Sequence, residues 1–152
     1  MQIANLGATI ANRGEYITPH LVSKIEGDTI KEEYRVAKKT LAGKEAYEAV
    51  VQGMREAVLN GTCRAANIPG WEVCGKTGTA QVTANSTLPD NALFSGFAPY
   101  DNPEIVGSCI LEAGEAGANA SKIVAAVFEE YFSEDSANSE GSEIPDPNAP
   151  NG

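Results

Sequence analysis

Gly70-Trp71-Glu72-Val73-Cys74-Gly75-Lys76-Thr77-Gly78-Thr79-Ala80-Gln81 is the stretch whose reading decides the fold. Its letters fit two chemistries. Gly70, four residues and then Gly75-Lys76-Thr77 satisfy the phosphate-loop pattern G-x-x-x-x-G-K-[ST]. A phosphate cradle, however, needs small inner residues whose N–H groups converge on the anion, and it must open a helix. The inner positions here are Trp71, Glu72, Val73 and Cys74, three of them bulky or acidic. The residues after Lys76 are rich in glycine and β-branched types and poor in helix formers. The same letters read better as a strand. Lys76 and Gly78 then project to one side and Thr77 and Thr79 to the other. Gly78 leaves room for a second backbone to approach. A lysine, two hydroxyls and an open strand edge suit an extended peptide that ends in a carboxylate.

Working outward, residues 44–59 read as a helix closed by Asn60-Gly61, with Ala46, Tyr47, Val50, Val51, Met54, Val58 and Leu59 as its apolar stripe. Residues 2–12 read as another, from the spacing of Ile3, Leu6 and Ile10, with Gly14 as a left-handed stop. Between them, Leu21 to Ile25 and Thr29 to Tyr34 read as two strands of a hairpin about Glu26-Gly27-Asp28. Downstream, Trp71 to Cys74 has strand composition, and Leu93–Ala98 and Ile105–Leu111 are strands joined by the Asp101-Asn102-Pro103-Glu104 turn. A last helix over 121–132 places Ile123, Val124, Val127, Phe128 and Tyr131 on one side, with Asn119 or Ser121 as its cap. Strands on short turns with helices before and after imply an α+β fold, an antiparallel sheet covered by helices.

The chain has 152 residues and a net charge of −10. An acidic chain repels phosphate backbones, so no nucleic-acid partner is expected. Residues 133–152 hold five acids and no base; without them 16 acids face 11 bases, a net of −5. That tail is expected to be disordered, leaving residues 1–132 as the folded part. Cys63 and Cys74 lie eleven apart and are either a disulfide or two small buried thiols, and Cys109 belongs to the core. The single His20 reads as structural, Trp71 as a partly covered strand residue, and zinc spacing is absent.

The run Gly61-Thr62-Cys63 … Ile68 to Gln81 resembles the third active-site motif of class B penicillin-binding proteins, most closely the penicillin-binding protein 2 branch that serves cell elongation. Met1 to Ala11, Asn12-Arg13-Gly14 and Thr18 to Val22 resemble the segment between that family's second and third motifs. Phe94 to Pro99 resembles its next core strand, and Ile123 to Phe132 its closing helix. The resemblance implies the C-terminal half of a penicillin-binding, serine-β-lactamase-like transpeptidase domain. It implies that a serine attacks the D-Ala-D-Ala stem peptides of peptidoglycan, that β-lactams mimic them, and that no cofactor takes part. Carried over, Lys76 supplies positive field, Thr77 and Thr79 hold the carboxylate, Gly78 permits close approach, the Thr79 N–H forms half of the oxyanion hole, and Gln81 lies in the substrate-binding set. The family's nucleophile stands in S-x-x-K, and no serine here has lysine three residues later. Ser136-Ala137-Asn138 matches S-x-N only by letters, after the K-T-G run instead of before it. Where many members have His ahead of the next strand, this chain has Asn91-Ala92-Leu93.

These departures, and an apolar helix that starts at Met1 without a capping residue, lead to the expectation of a piece of a longer chain whose missing N-terminal half is its first partner. Weak independent stability is expected with it. Membrane proteins of the elongation machinery are the further partners implied, and the extracytoplasmic face of the bacterial membrane is the implied location. The rival readings are a binding half-domain that holds a peptide or β-lactam without turnover, and a β-lactamase or sensor relative.

Overall fold

The computed structural model describes residues 1–83 and 87–140. Its centre is a three-stranded antiparallel sheet of β3 (Cys74–Ala80), β4 (Asn91–Ala98) and β5 (Ile105–Leu111), in that order. The cross-strand pairs include Lys76 with Ser95, Thr77 with Phe94, and Phe94 with Cys109. Side chains alternate between faces along each strand, which sorts the sheet into two surfaces.

One surface carries Ala92, Phe94, Ala98, Ile105, Cys109 and Leu111 and lies under α3 (Gly117–Glu140), which contributes Ala120, Val124, Phe128 and Phe132. Gly107 makes this contact possible, because a Cβ there would lie 2.5 Å from Val124 Cγ1 and 2.9 Å from Phe128 Cε1. Trp71 closes one end, its ring stacked 3.7 Å from that of Phe132. The other surface carries Cys74, Phe97 and Val106, packed against α1 (Gln2–Ala11) and α2 (Lys44–Leu59) through Ala11, Val51 and Met54. α2 reaches both surfaces, since its Val58 belongs to the cluster under α3. Arg13, at φ 52°, donates to the Ala11 and Tyr100 carbonyls and pairs with Glu48, tying the end of α1 to α2 and to the β4–β5 turn.

The α+β layering, the 44–59 helix and the 105–111 strand agree with the sequence reading. Several details do not. The hairpin over 21–34 is absent; that region has a lone bridge between Ile25 and Asp28 and a 3-10 turn at Glu32–Tyr34. The pairing in this part of the chain is instead β1 (Glu15–Tyr16) with β2 (Lys38–Lys39). Strand propensity has nothing to pack against there, and Leu21 stands 86% exposed. β3 begins at Cys74, three residues later than the strand composition of Trp71 suggests. α3 begins at Gly117, so Asn119 and Ser121 lie inside its first turns, and their side chains donate backwards to the Gly114 and Ala118 carbonyls instead of capping. It also continues to Glu140, so residues 133–140 are helical and not disordered. No Gly or Pro interrupts the chain between Gly117 and Gly141, and extending an existing helix is far cheaper than starting one. The rest of the acidic tail lies outside the described residues. On α3 the buried side is Val124, Phe128 and Phe132, while Ile123, Val127 and Tyr131 face outward. On α1 the buried positions are Gly7, Thr9 and Ala11, and Ile3 and Leu6 are exposed.

Candidate active-site strand

Lys76, Thr77, Gly78 and Thr79 all lie on β3, so the phosphate-loop alternative fails: the lysine sits within a strand, not at a helix start. β3 is the end strand of its sheet, and among the described residues no strand pairs with its outer side. Such an edge offers unpaired backbone N–H and C=O groups to an extended ligand.

The strand's alternation divides the site. Lys76 and Gly78 face the α1–α2 surface, where they border a groove of about 410 Å³. Ile3, Leu6, Ile10, Val50 and Met54 make its walls. Lys76 is exposed there, and its Nζ reaches the neighbouring carbonyl of Thr77. Ser95, its cross-strand partner, accepts a 2.9 Å hydrogen bond from Ser108, so a polar row crosses an otherwise apolar face. Gly78 has only Leu93 Cβ near the place a side chain would occupy, at 3.3 Å.

Thr77 and Thr79 turn to the α3 surface. Thr79 is exposed near the strand's end, and Gln81 is exposed just beyond it. Thr77 is only 9% exposed, and its hydroxyl lies 2.7 Å from that of Thr62. Gly117, at the start of α3, presses on the same spot: a Cβ there would stand 2.6 Å from Thr77 Cβ and 2.9 Å from the Gly78 carbonyl oxygen. The lysine and the first hydroxyl of the motif are thus on opposite faces of one strand, and a ligand meets both only along the edge.

Three contributors are not legible as site residues in the sequence. Thr62 enters it only as part of a resemblance. Arg55 donates from α2 to the Val73 carbonyl at 2.9 Å, fixing the strand's entry. Gly117 lets α3 seat under the motif. Gly117 is the first residue of α3, and no spacing in the sequence marks its contact with Thr77.

Both Cys63 and Cys74 are buried free thiols, so the disulfide alternative is not realised. Burial pushes the Cys74 thiol up to about 12, too high for a nucleophile at neutral pH. Cys109 is partly buried against the α3 core. His20 is exposed, bonded at Nδ1 to the Thr18 carbonyl oxygen and set near the Tyr34 ring, remote from β3 in its contacts. Asn91 accepts the Ala113 N–H, a structural bond at the start of β4. Among the described residues no cluster of His, Cys, Asp or Glu could hold a metal ion, and no helix is long and apolar enough to cross a membrane.

Residues 1–133 match the model of the penicillin binding protein transpeptidase domain. The chain is 34% identical to the peptidoglycan D,D-transpeptidase MrdA of Haemophilus influenzae, over 88% of its own length and 24% of that protein's. It is similar in structure to Pseudomonas aeruginosa PBP2, with a TM-score of 0.71 at 34% identity, covering 86% of this chain and 28% of that one. Penicillin-binding protein A of Mycobacterium tuberculosis, solved as an imipenem acyl-enzyme, is similar with a TM-score of 0.68 at 29% identity, covering 85% of this chain and 29% of that one. The chain therefore spans about a quarter of the length of the curated relatives it matches.

Proposed function

The chain belongs to the penicillin-binding protein transpeptidase family, and from that premise we propose that β3 is the substrate strand of a peptidoglycan D,D-transpeptidase. The observation that carries the reading is the Lys76-Thr77-Gly78-Thr79 run on an unpaired strand edge inside the matched domain.

In this mechanism a D-Ala-D-Ala stem peptide lies antiparallel along the edge. A serine oxygen from outside this chain attacks the penultimate D-Ala carbonyl and forms an ester. The amide C–N bond to the last D-Ala breaks, and that amine leaves with a proton. The amine of a neighbouring stem peptide then attacks the ester, and the serine recovers its proton. Lys76 supplies positive field beside the reacting serine. Thr77 and Thr79 receive the terminal carboxylate, with Gln81 just past them. The Thr79 N–H supplies one oxyanion donor, and loss of one such donor costs on the order of 10²–10³ in rate. β-Lactams enter as carboxylate-bearing mimics and stop at the ester.

The serine requires a partner segment, and the apolar groove beside Lys76 adjoins the place it must reach. The extracytoplasmic face of the membrane, and a membrane protein of the elongation machinery as a further partner, belong to the same proposal. Intact-mass spectrometry after benzylpenicillin treatment tests it. A transpeptidase domain made of residues 1–152 and an S-x-x-K-bearing segment is expected to gain one penicilloyl adduct, and Lys76→Ala to slow that gain at least 100-fold. No adduct on the complete domain would overturn the reading. Because no serine here has lysine three residues on, residues 1–152 alone should hold ligand without turnover and stay unmodified.

A further inference from the structure

We infer that Thr62 is a positioning residue for this site: its hydroxyl donates to Thr77 Oγ1 and so leaves the Thr77 proton free for the ligand carboxylate. The inference rests on the reading that Thr77 binds that carboxylate.

The two hydroxyl oxygens stand 2.7 Å apart, an ordinary O–H···O separation. Only one of the two protons can lie between them. If Thr77 donated inward to Thr62, it would present lone pairs to an approaching anion and repel it. If Thr62 donates to Thr77, the single Thr77 proton is left to point along the open edge of β3. A carboxylate has only acceptors, so it selects the second arrangement. Cys63 Sγ, 4.0 Å from Thr62 Oγ1, extends the row as a weak third member whose S–H can face the Thr62 oxygen. Thr77 is mostly shielded from solvent while Thr62 is exposed, so the accepting end of the pair is the one held away from water.

The backbone keeps Thr62 where this needs it. The N–H groups of Gly61 and Cys63, on either side, both donate to the Ala57 carbonyl at the end of α2, at 3.1 and 2.9 Å. Gly61 packs so closely that a Cβ would fall 2.8 Å from Ala57 Cα. Arg55, two residues before Ala57 on α2, bonds the Val73 carbonyl just ahead of β3. Thr62 and Thr77 are thus carried by elements already tied together.

The deciding experiment is second-order acylation by benzylpenicillin and by its methyl ester, on the complete domain formed by residues 1–152 and the S-x-x-K-bearing segment. With Thr62→Val, acylation by the free acid should fall about tenfold, the worth of roughly one hydrogen bond, while the ester rate stays within about twofold. Thr62→Ser, which keeps the hydroxyl, should restore the acid rate to within about twofold. Thr62→Ala takes the place of the valine variant if that one does not fold, and thermal melting confirms folding for each. Equal loss with acid and ester, no loss at all, or no rescue by serine would each overturn the inference. Lys76→Ala separates the two levels. If it too leaves acylation unchanged, the reading of β3 as the substrate strand fails; if it slows acylation while Thr62→Val does not, only the role of Thr62 is lost.

Discussion

The two faces of the central sheet are built from the same three strands, yet one is sealed and the other stands partly open. Beneath α3, every inward strand residue is apolar or glycine until Thr77, and three phenylalanines (Phe94, Phe128 and Phe132) fill the layer. On the α1–α2 face the row Lys76, Ser95 and Ser108 crosses all three strands, and α1 comes down on Ser95 through Gly7 instead of a large side chain. The apolar side chains of α1 that could cover this row, Ile3 and Leu6, line the groove instead. One face therefore holds the fold, and the other gives up sheet area to polar groups beside the lysine. The K-T-G strand takes one functional group from each.

The most severe way to break that contrast is to empty the sealed face. Phe128→Ala should cost about 3–5 kcal/mol, as for other buried phenylalanines, and abolish any cooperative transition in a chain expected to be weakly stable. Urea unfolding followed by Trp71 fluorescence measures it, and a cost under about 1 kcal/mol would make the two faces equivalent. Next comes overpacking at the seam between α3 and the motif. Gly117→Ala places a methyl against Thr77 and two carbonyl oxygens and should cost roughly 1–3 kcal/mol by the same titration. A neutral result there would mean that α3 does not bear on β3.

On the α1–α2 face the expected effects are smaller. The Cys74 thiol has a reference value of 9.0 and is raised to about 12 by burial, with Arg55 opposing. The unfolded thiol therefore loses its proton first. Its contribution is complete below pH 9 and is lost as pH rises from 9 toward 12. Cys74→Ala should flatten that part of a stability–pH curve, and an unchanged slope would show the thiol to be solvated. Smallest of all, Leu6→Ala should change stability by no more than about 0.5 kcal/mol, because that side chain is already 59% exposed. A larger loss in the chemical denaturation midpoint would mean that the groove is closed in solution.

The parts legible in the sequence are those whose signals are local. The stripe and terminal Asn60-Gly61 of α2 mark its bounds, and β5 lies between clear turns. The strand reading of Lys76 to Thr79 needs only the size of Trp71 and the want of helix formers after Gly78. Other features depend on what happens to come near. Trp71 reads as strand because it is aromatic, but its ring is committed to Phe132, 61 residues away in sequence. Leu21 and Val22 have strand propensity and no surface to bury against, so no hairpin forms. Apolar spacing alone points to the wrong inward side of α1 and α3, since small residues sit against the sheet on α1 and Phe132 completes the row on α3. The partnership of Thr62 with Thr77 spans 15 residues that run through the 3-10 turn at Arg64–Ala66 and the turn bridged by Ile68 and Trp71, and no spacing rule encodes it.

β5 carries a consequence for the chain as a solute. Its seven residues, Ile105 to Leu111, include neither a charge nor a proline, and among the described residues no strand pairs with its outer side. A bare strand edge of that composition is a template on which like edges polymerise. The opposing force is long-range: a net charge of −10 makes each molecule repel the next. The repulsion fades within about 10 Å at roughly 0.1 M salt, while main-chain pairing at contact is scarcely screened. Ionic strength is thus expected to set the colloidal state of this chain: dispersed in dilute buffer, and drawn toward edge-to-edge assembly as salt is added.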